Sequence, residues 1–420
     1  MSHHNCRFCQ HPLQHTFINL GGSPISNDFL IIEQIDKSEK FYPLHTYVCD
    51  RCFLVQLPEV ESREHIFGDG DYAYFSSYSE SWLKHCERYT NLMIERFGFV
   101  GGASPLENRS SQVIEIASND GYLLQYFQQR NISVLGIEPA SNVAAVAEAK
   151  GIPTLTKFFG VQTATELVEL DKQADLLLGN NVLAHVPDLN DFVAGIKLLL
   201  KPEGIITIEF PHLLQLIAQN QFDTIYHEHY SYFSFLTVEQ VFAAHGLTLF
   251  DVEELSTHGG SLRIYGRHTE NTQQAITERV AQLKAKEIAA KLDTIDTYLD
   301  YTQQVERIKR QLLTFLIQAK NEGKSVVGYG APAKGNTLLN YCGVRTDFID
   351  YTVDLSPHKQ GLFLPGTHIP IYHPDRIAET KPDYLLILPW NLRSEIIEQM
   401  ACIRKWGGKF VVPIPQLEIV

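Results

Sequence analysis

From about Gln112 the chain alternates between short apolar runs and stretches in which apolar residues recur at helical spacing. Gln112–Ala117, Ser133–Ile137, Ala174–Gly179 and Ile205–Phe210 are mainly apolar, as strands buried on both faces of a parallel sheet must be. Helices are predicted between them, over Gly121–Gln129, Ser141–Lys150, Val161–Leu170 and Asp188–Leu200. Such alternation predicts a doubly wound α/β sheet. Past Gly246, Thr248–Glu253 and Leu262–Arg267 predict two strands that extend it. Thr269–Asn321, without Gly or Pro and rich in Ala, Leu, Gln, Lys and Glu, predicts one or two long helices packing between domains. A second α/β pattern starts at Lys324, with strands at Ser325–Tyr329, Phe348–Val353, Tyr384–Leu388 and Phe410–Ile414 and a helix near Asn336–Tyr341.

The first seventy residues differ, being rich in turn formers and holding four cysteines in two pairs. The predicted organisation is a zinc-binding domain over residues 1–70, a Rossmann-like central domain over 71–268, and a helical connector with a second Rossmann-like domain over 269–420. A length of 420 residues suits two or three cores rather than one.

The formal charge is −14, from 35 basic and 49 acidic residues, with no block of Lys or Arg. That excludes a large nucleic-acid footprint but leaves room for a small phosphorylated ligand held by a few local groups. No run of about 18 apolar residues appears, and the start lacks the basic-then-apolar pattern of a signal peptide. A cytosolic protein without membrane contact is expected, and a monomer is compatible with this composition.

In a cytosolic chain, paired cysteines point to a metal before they point to disulfides. Cys6-Arg7-Phe8-Cys9 and Cys49-Asp50-Arg51-Cys52 each place two thiolates on one tight turn. Two such turns complete a closed tetrahedral site, the arrangement of structural zinc. Cys86, Cys342 and Cys402 are isolated and carry no chemistry of their own.

The first strand of the central sheet runs through Glu115 into the polar turn Ala117-Ser118-Asn119-Asp120-Gly121. The second ends at Glu138-Pro139, an acid placed to accept hydrogen bonds from both hydroxyls of a ribose, and the fourth ends at Asn180-Asn181. In such sheets ligands bind beyond the carboxyl ends of the strands. This order resembles the S-adenosylmethionine-dependent methyltransferase fold, with Glu115, Ala117, Asn119, Gly121, Glu138, Pro139, Asn180 and Asn181 as cofactor-binding candidates. The usual Gly-x-Gly is replaced by Ala117-Ser118-Asn119, and the GxGxxG of a dinucleotide site is absent.

Tyr226-His227-Glu228-His229-Tyr230-Ser231-Tyr232 packs two histidines, a glutamate and three tyrosines into seven residues. So many titratable groups suit a catalytic segment better than a core, and HxH with no third ligand is a weak metal motif. In the last domain, Gly328-Tyr329-Gly330-Ala331-Pro332-Ala333-Lys334-Gly335-Asn336-Thr337 predicts a strand–turn–helix able to cradle phosphates on backbone N–H groups. The next strand ends in Asp354, again at a ribose-binding position, with Lys359 and His368 following.

Together with the cysteine pairs, Tyr72–Ser79 and Asn181–Val186, these segments resemble the sugar C-methyltransferases that act on nucleotide-linked 4-keto deoxysugars, over almost the whole chain. The resemblance implies methyl transfer from S-adenosylmethionine to a carbon, C3, next to the sugar's ketone. A sugar carbon becomes nucleophilic only after a base removes its proton and the enolate oxygen is stabilised. By the resemblance His229 is that base, Tyr226 donates to the enolate oxygen, and Glu228, His185 and Tyr74 complete the catalytic set. Tyr72 and Tyr78 stand as substrate-binding neighbours of Tyr74 that sequence does not separate from it. The last domain is implied to grip the nucleotide diphosphate through Tyr329, Lys334, Asn336, Asp354, Lys359 and His368. Two other classes are weighed against this. A nicotinamide-dependent sugar oxidoreductase would need GxGxxG and a Tyr-x-x-x-Lys relay, and neither is found; a non-catalytic zinc scaffold would have no use for the Tyr226–His229 cluster.

Overall fold

The computed structural model describes residues 4–67, 75–102 and 110–420, built on three sheets. The central sheet has seven strands in the order Leu247–Leu255, Ser261–His268, Leu200–Pro211, Ala174–Asn180, Gln112–Ile116, Ser133–Ile137, Thr154–Leu155. Strands from Leu200–Pro211 outward to Thr154–Leu155 are parallel, whereas Ser261–His268 is antiparallel to both its neighbours. The parallel strands are buried nearly throughout, which is why they read as apolar runs rather than as alternation. Helices Ser141–Ala149, Val161–Glu169 and Leu189–Leu199 return the chain between them. Thr154–Leu155 was not predicted, because two half-buried residues make no apolar run.

This topology decides which loops share an edge. The carboxyl ends at Ile116, Ile137 and Asn180 lie on one side of the sheet, where ligands of doubly wound folds bind. Because Ser261 pairs with Pro211 at the end of its parallel strand, the hairpin tip Ser256–Gly260 is brought to that same side.

The cysteine-bearing segment forms a second sheet from His15–Ser23, Tyr42–Val48 and Val55–Gln56. Its fourth strand is Ser231–Tyr232, with Val55 opposite Tyr232 and Gln56 opposite Ser231. The N-terminal module is therefore not a separate bead. It is sewn to the residues that directly follow His229.

The connector holds three helices, Glu278–Ala289, Ile295–Leu299 and Tyr301–Asn321, where one or two were predicted. The break has no Gly or Pro to announce it: Lys291 takes a left-handed φ of 59°, which lets Leu292 turn inward and bury completely. Glu287, buried on the first of these helices, accepts from the backbone N–H groups of Phe235 (2.7 Å) and Leu236 (2.9 Å) and from His212 Nε2 (2.6 Å). It thus caps the helix Phe235–Ala244 while tying the connector to the central domain.

The C-terminal sheet runs Ile371–Tyr372, Thr352–Val353, Val326–Tyr329, Tyr384–Ile387, Lys409–Val412, Glu418–Ile419, parallel except for its last strand. The strand expected at Phe348–Val353 shrinks to Thr352–Val353, since Phe348 and Ile349 hydrogen-bond back to Arg345 in a turn. One apolar core runs from the N-terminal sheet through the connector into this domain, with Phe17 stacked on Tyr301 at 4.8 Å. Among the described residues no helix is long and apolar enough to cross a membrane.

Candidate active site

The four paired cysteines converge. Cys6 Sγ lies 3.6 Å from Cys52 Sγ and Cys9 Sγ lies 3.5 Å from Cys49 Sγ, and the four sulfurs fall within 4.8 Å of one another. A zinc–sulfur tetrahedron with bonds of about 2.3 Å has edges of about 3.8 Å, so the spacing fits one zinc ion. Each turn is a knuckle closed by backbone, with Gln10 N bonded to Cys6 O and Phe53 N to Cys49 O. Gln10 and Phe53 follow the second cysteine of each pair and take left-handed φ values of 61° and 58°. No fourth-ligand vacancy is left for a substrate, so the metal is structural. Arg7, on the first knuckle, donates to Pro187 O at 2.8 Å and fastens the module beside the His185 turn.

Across the carboxyl edge of the central sheet lies a cleft open to solvent, lined among others by Ala117, Asn119, Glu138, Pro139, Asn180, Asn181 and His185. The unusual turn behaves as its glycine-rich counterpart would: Ala117, Asn119 and Gly121 all have positive φ, at 58°, 48° and 76°. At Gly121 a Cβ would meet the tip of the Ile152 side chain at 2.3 Å, which would have to move aside. Glu138 accepts Asn119 N (3.0 Å) on one oxygen and Ala140 N (2.9 Å) on the other, which leaves a lone pair on each for a diol. Burial pushes its carboxyl up to about 6. Asn180 Nδ2 and Asn181 Oδ1 are buried without partners, as donor and acceptor sites awaiting a polar ligand would be. The cleft's mixture of apolar walls and unsatisfied amides fits S-adenosylmethionine.

Glu115 departs from expectation. It is fully buried and does not line the cleft, and burial pushes its carboxyl well above the usual range. It stands behind the turn, away from the residues that line the cleft. Sequence reasoning also missed Trp82, Phe158, Lys157 and His258, all of which line the cleft. Only His258 left a trace in the sequence, as a histidine set before Gly259-Gly260.

Tyr226, His229 and His185 come together. The His229 ring lies 4.0 Å from that of Tyr226 and 4.7 Å from that of His185, 44 residues away in the chain. His229 Nδ1 sits 2.8 Å from Thr224 O. A carbonyl only accepts, so Nδ1 carries the hydrogen and the neutral ring keeps its lone pair on Nε2. That Nε2 is buried with no partner. Burial, helped by His185, holds the ring well below the usual histidine value, so it is neutral. Burial likewise lowers His185 to about 4.

Glu228 does not orient His229. Its carboxyl turns to the N-terminal module, where Asn27 Nδ2 donates to it at 2.7 Å. Burial pushes Glu228 up to about 7, with Lys359 acting weakly in the opposite sense. The folded chain therefore holds a proton that the unfolded chain releases above about 4.5. The associated stability is present at low pH and fades as pH rises toward 7 and beyond. Glu228→Gln removes this titration. Measured by denaturant unfolding, the variant is expected to gain on the parent by up to about 3 kcal/mol between pH 5 and pH 8. A constant difference across that range would mean that Glu228 is ionised throughout.

The C-terminal candidates divide. Asn336 is buried with both amide atoms unpartnered, and Lys359 Nζ donates to Ala331 O at 2.9 Å beside Asp354. Asp354 accepts the backbone N–H groups of Ala331 and Ser356, so it shapes the turn. Tyr329 donates to Gln399 at 2.9 Å within its own domain, and His368 pairs with Glu39 at 3.1 Å on the N-terminal module. Both side chains are thus engaged by other protein groups. Lys334 turns from the predicted phosphate cradle to Asn391 at 2.8 Å, with its ammonium 4.7 Å above the Trp390 ring. Tyr78 is exposed, its hydroxyl 3.3 Å from His358 of the last domain. Tyr72 and Tyr74 lie outside the described residues.

The two most specific sequence segments also touch. Thr337 Oγ1 donates to Ile225 O at 3.0 Å, and Trp390 Nε1 donates to Asp223 at 2.7 Å. The helix after the second glycine turn is thus packed against the loop that carries Tyr226–His229.

Comparison with known proteins agrees with this architecture. Residues 6–67 match a family described as a putative zinc binding domain, 87–252 a methyltransferase domain, and 256–415 a C-methyltransferase C-terminal domain. The C-methyltransferase NovU of Streptomyces niveus is 34% identical over 415 residues, covering 99% of this chain and 96% of that one. A ubiquinone biosynthesis O-methyltransferase of Rhizobium etli is 27% identical over 25% of this chain and 43% of its own. Among solved structures, magnesium protoporphyrin IX methyltransferase of Synechocystis, with bound S-adenosylmethionine, is 13% identical at a TM-score of 0.34, covering 48% of this chain and 88% of that one. With the full-length similarity and all three domains matched in order, the chain belongs to the S-adenosylmethionine-dependent C-methyltransferase family.

Proposed function

We propose that the acceptor is a nucleotide-linked 4-keto deoxysugar, methylated at C3, and that the chain serves deoxysugar biosynthesis in the cytosol. The observation that carries this reading is the lone pair of His229 Nε2, buried and unpartnered beside Tyr226 and His185. An oxygen or nitrogen acceptor already has electrons to offer, whereas a carbon must first be deprotonated. A neutral histidine with its tautomer held by Thr224 is suited to that task.

In this reading His229 Nε2 takes the proton from the carbon next to the ketone. Tyr226 donates a hydrogen bond to the enolate oxygen as charge develops there. His185 lies between this pair and the cofactor cleft, Glu228 holds the acceptor from the side of the N-terminal module, and the family resemblance adds Tyr74 and Tyr72 to the acceptor site. Bound S-adenosylmethionine supplies an electrophilic methyl on its sulfonium. Ala117, Asn119, Gly121, Glu138, Pro139, Asn180 and Asn181 would hold it, Glu138 through its two remaining lone pairs. The nucleotide diphosphate runs toward the last domain, where the free amide of Asn336 and the Lys359 ammonium offer donors.

The test is mass spectrometry of products formed from S-adenosylmethionine and a panel of nucleoside-diphosphate 4-keto-deoxyhexoses. A mass gain of one methyl, with the C3 proton replaced, is expected for at least one member. Methylation of a hydroxyl or amine instead would overturn the carbon-acid chemistry at this acceptor.

A further inference from the structure

His258 occupies a backbone position that a residue other than glycine rarely takes, at φ 54° and ψ 19°. Left-handed backbone outside glycine costs free energy and persists only where the surroundings impose it. Here they do. Gln221 Nε2 donates to Gly259 O at 2.7 Å, and His212 N donates to Gly260 O at 3.0 Å. A Cβ on Gly259 would meet the Trp390 ring at 2.6 Å, so the tip is wedged between the central and C-terminal domains.

The wedge presents the imidazole to the cleft. His258 lines it with Asn181 and His185, its ring 5.3 Å from that of Trp82. Its Nε2 is buried with no hydrogen-bond partner. A buried ring nitrogen left unsatisfied costs free energy that no apolar packing recovers. Strain and an orphaned polar atom therefore fall on one side chain. That side chain lines the central cleft on a tip that abuts Trp390 of the last domain. The charged and titratable groups around it are Lys334, Glu209 and His85.

We propose that His258 is a further acceptor-contacting residue, its Nε2 hydrogen-bonded to an oxygen of the sugar and fixing the acceptor across from His229. This rests on the keto-sugar reading above. Burial holds the ring at about 4, so it is neutral near pH 7 and takes one such bond without adding charge beside the developing enolate.

Two variants test it in the zinc-loaded full chain. His258→Gly removes both the strain and the imidazole. His258→Asn keeps a residue tolerant of left-handed φ together with an amide. Measured are the melting temperature, S-adenosylmethionine affinity by calorimetry, and kcat and KM for a nucleoside-diphosphate 4-keto-deoxyhexose that the parent methylates. Expected is a melting temperature within about 2 °C of the parent or above it for both, since relief of strain offsets lost contacts. Cofactor affinity should stay within about twofold, while kcat/KM for the acceptor falls roughly 30-fold or more in the glycine variant and by less in the asparagine variant. A lower melting temperature with unchanged turnover per folded molecule would make His258 structural. A parallel loss of cofactor affinity would assign it to the donor site. If the parent methylates no sugar of the panel, the keto-sugar reading fails first and His258's role fails with it; an active parent with equally active variants overturns only the latter.

Discussion

His229→Asn is expected to lose roughly 10³-fold or more in methyl transfer while binding S-adenosylmethionine as tightly as the parent. The asparagine amide can donate to Thr224 O much as Nδ1 does, so the loop keeps its anchor. What disappears is Nε2, whose lone pair is the feature suited to proton abstraction. The cofactor cleft is touched little, because His185 rather than His229 lines it. Single-turnover methylation together with calorimetric titration checks both halves. Near-parent turnover would remove His229 as the base. Loss of cofactor binding in proportion to activity would show that the substitution acted through the fold. Because burial keeps the ring neutral well below its usual value, the parent's acid limb is not expected to reflect His229 near pH 6.5.

The second large effect concerns the metal. Chelation of zinc, or Cys49→Ser, is expected to unfold the N-terminal module and abolish activity, with one equivalent of zinc released by chelation. Structural zinc contributes about 10–16 kcal/mol of binding free energy in small modules, comparable to or above the roughly 5–15 kcal/mol stability of a whole domain. The loss should not stay local. Val55–Gln56 pairs with Ser231–Tyr232, Asn27 holds Glu228, and Arg7 holds the carbonyl of Pro187. All three contacts support the segments bearing His185 and His229. Metal analysis, circular dichroism and a turnover assay on the stripped protein would read this out, and re-addition of zinc should restore activity. A metal-free protein with parental melting and turnover would show that the cysteine turns are dispensable. Cofactor binding is expected to suffer less than turnover, since the cleft is built mainly by the central sheet.

How far the sequence anticipated this molecule follows from what each feature depends on. CxxC pairs close their own turns, so four metal-directed thiols could be read directly, and so could apolar runs long enough to be strands. The turn at Ala117–Gly121 was harder. Its residues lack the usual Gly-x-Gly, yet Ala117 and Asn119 take left-handed φ all the same. Glu115 read as a ligand because it is acidic and stands at a strand end, but its direction relative to the cleft depends on the pleat and on Tyr122 packing beside it. Tyr329 and His368 were drawn in by their place near a glycine turn, while the partners that occupy them, Gln399 and Glu39, come from distant parts of the chain.

The sequence by itself determined the local chemistry and the order of the elements. Cysteine spacing, apolar periodicity and the Tyr226–His229 cluster are all set by residues within a few positions of one another. Only the tertiary structure decided which groups share a site. The meeting of His185 with His229, the turn of Glu228 toward Asn27, the meeting of the His229 loop with the helix after Gly335, and the wedging of His258 join residues up to about 200 positions apart. Contacts at that separation arise from strand order and domain packing, which act through burial and loop closure over the whole chain and leave no local spacing to read.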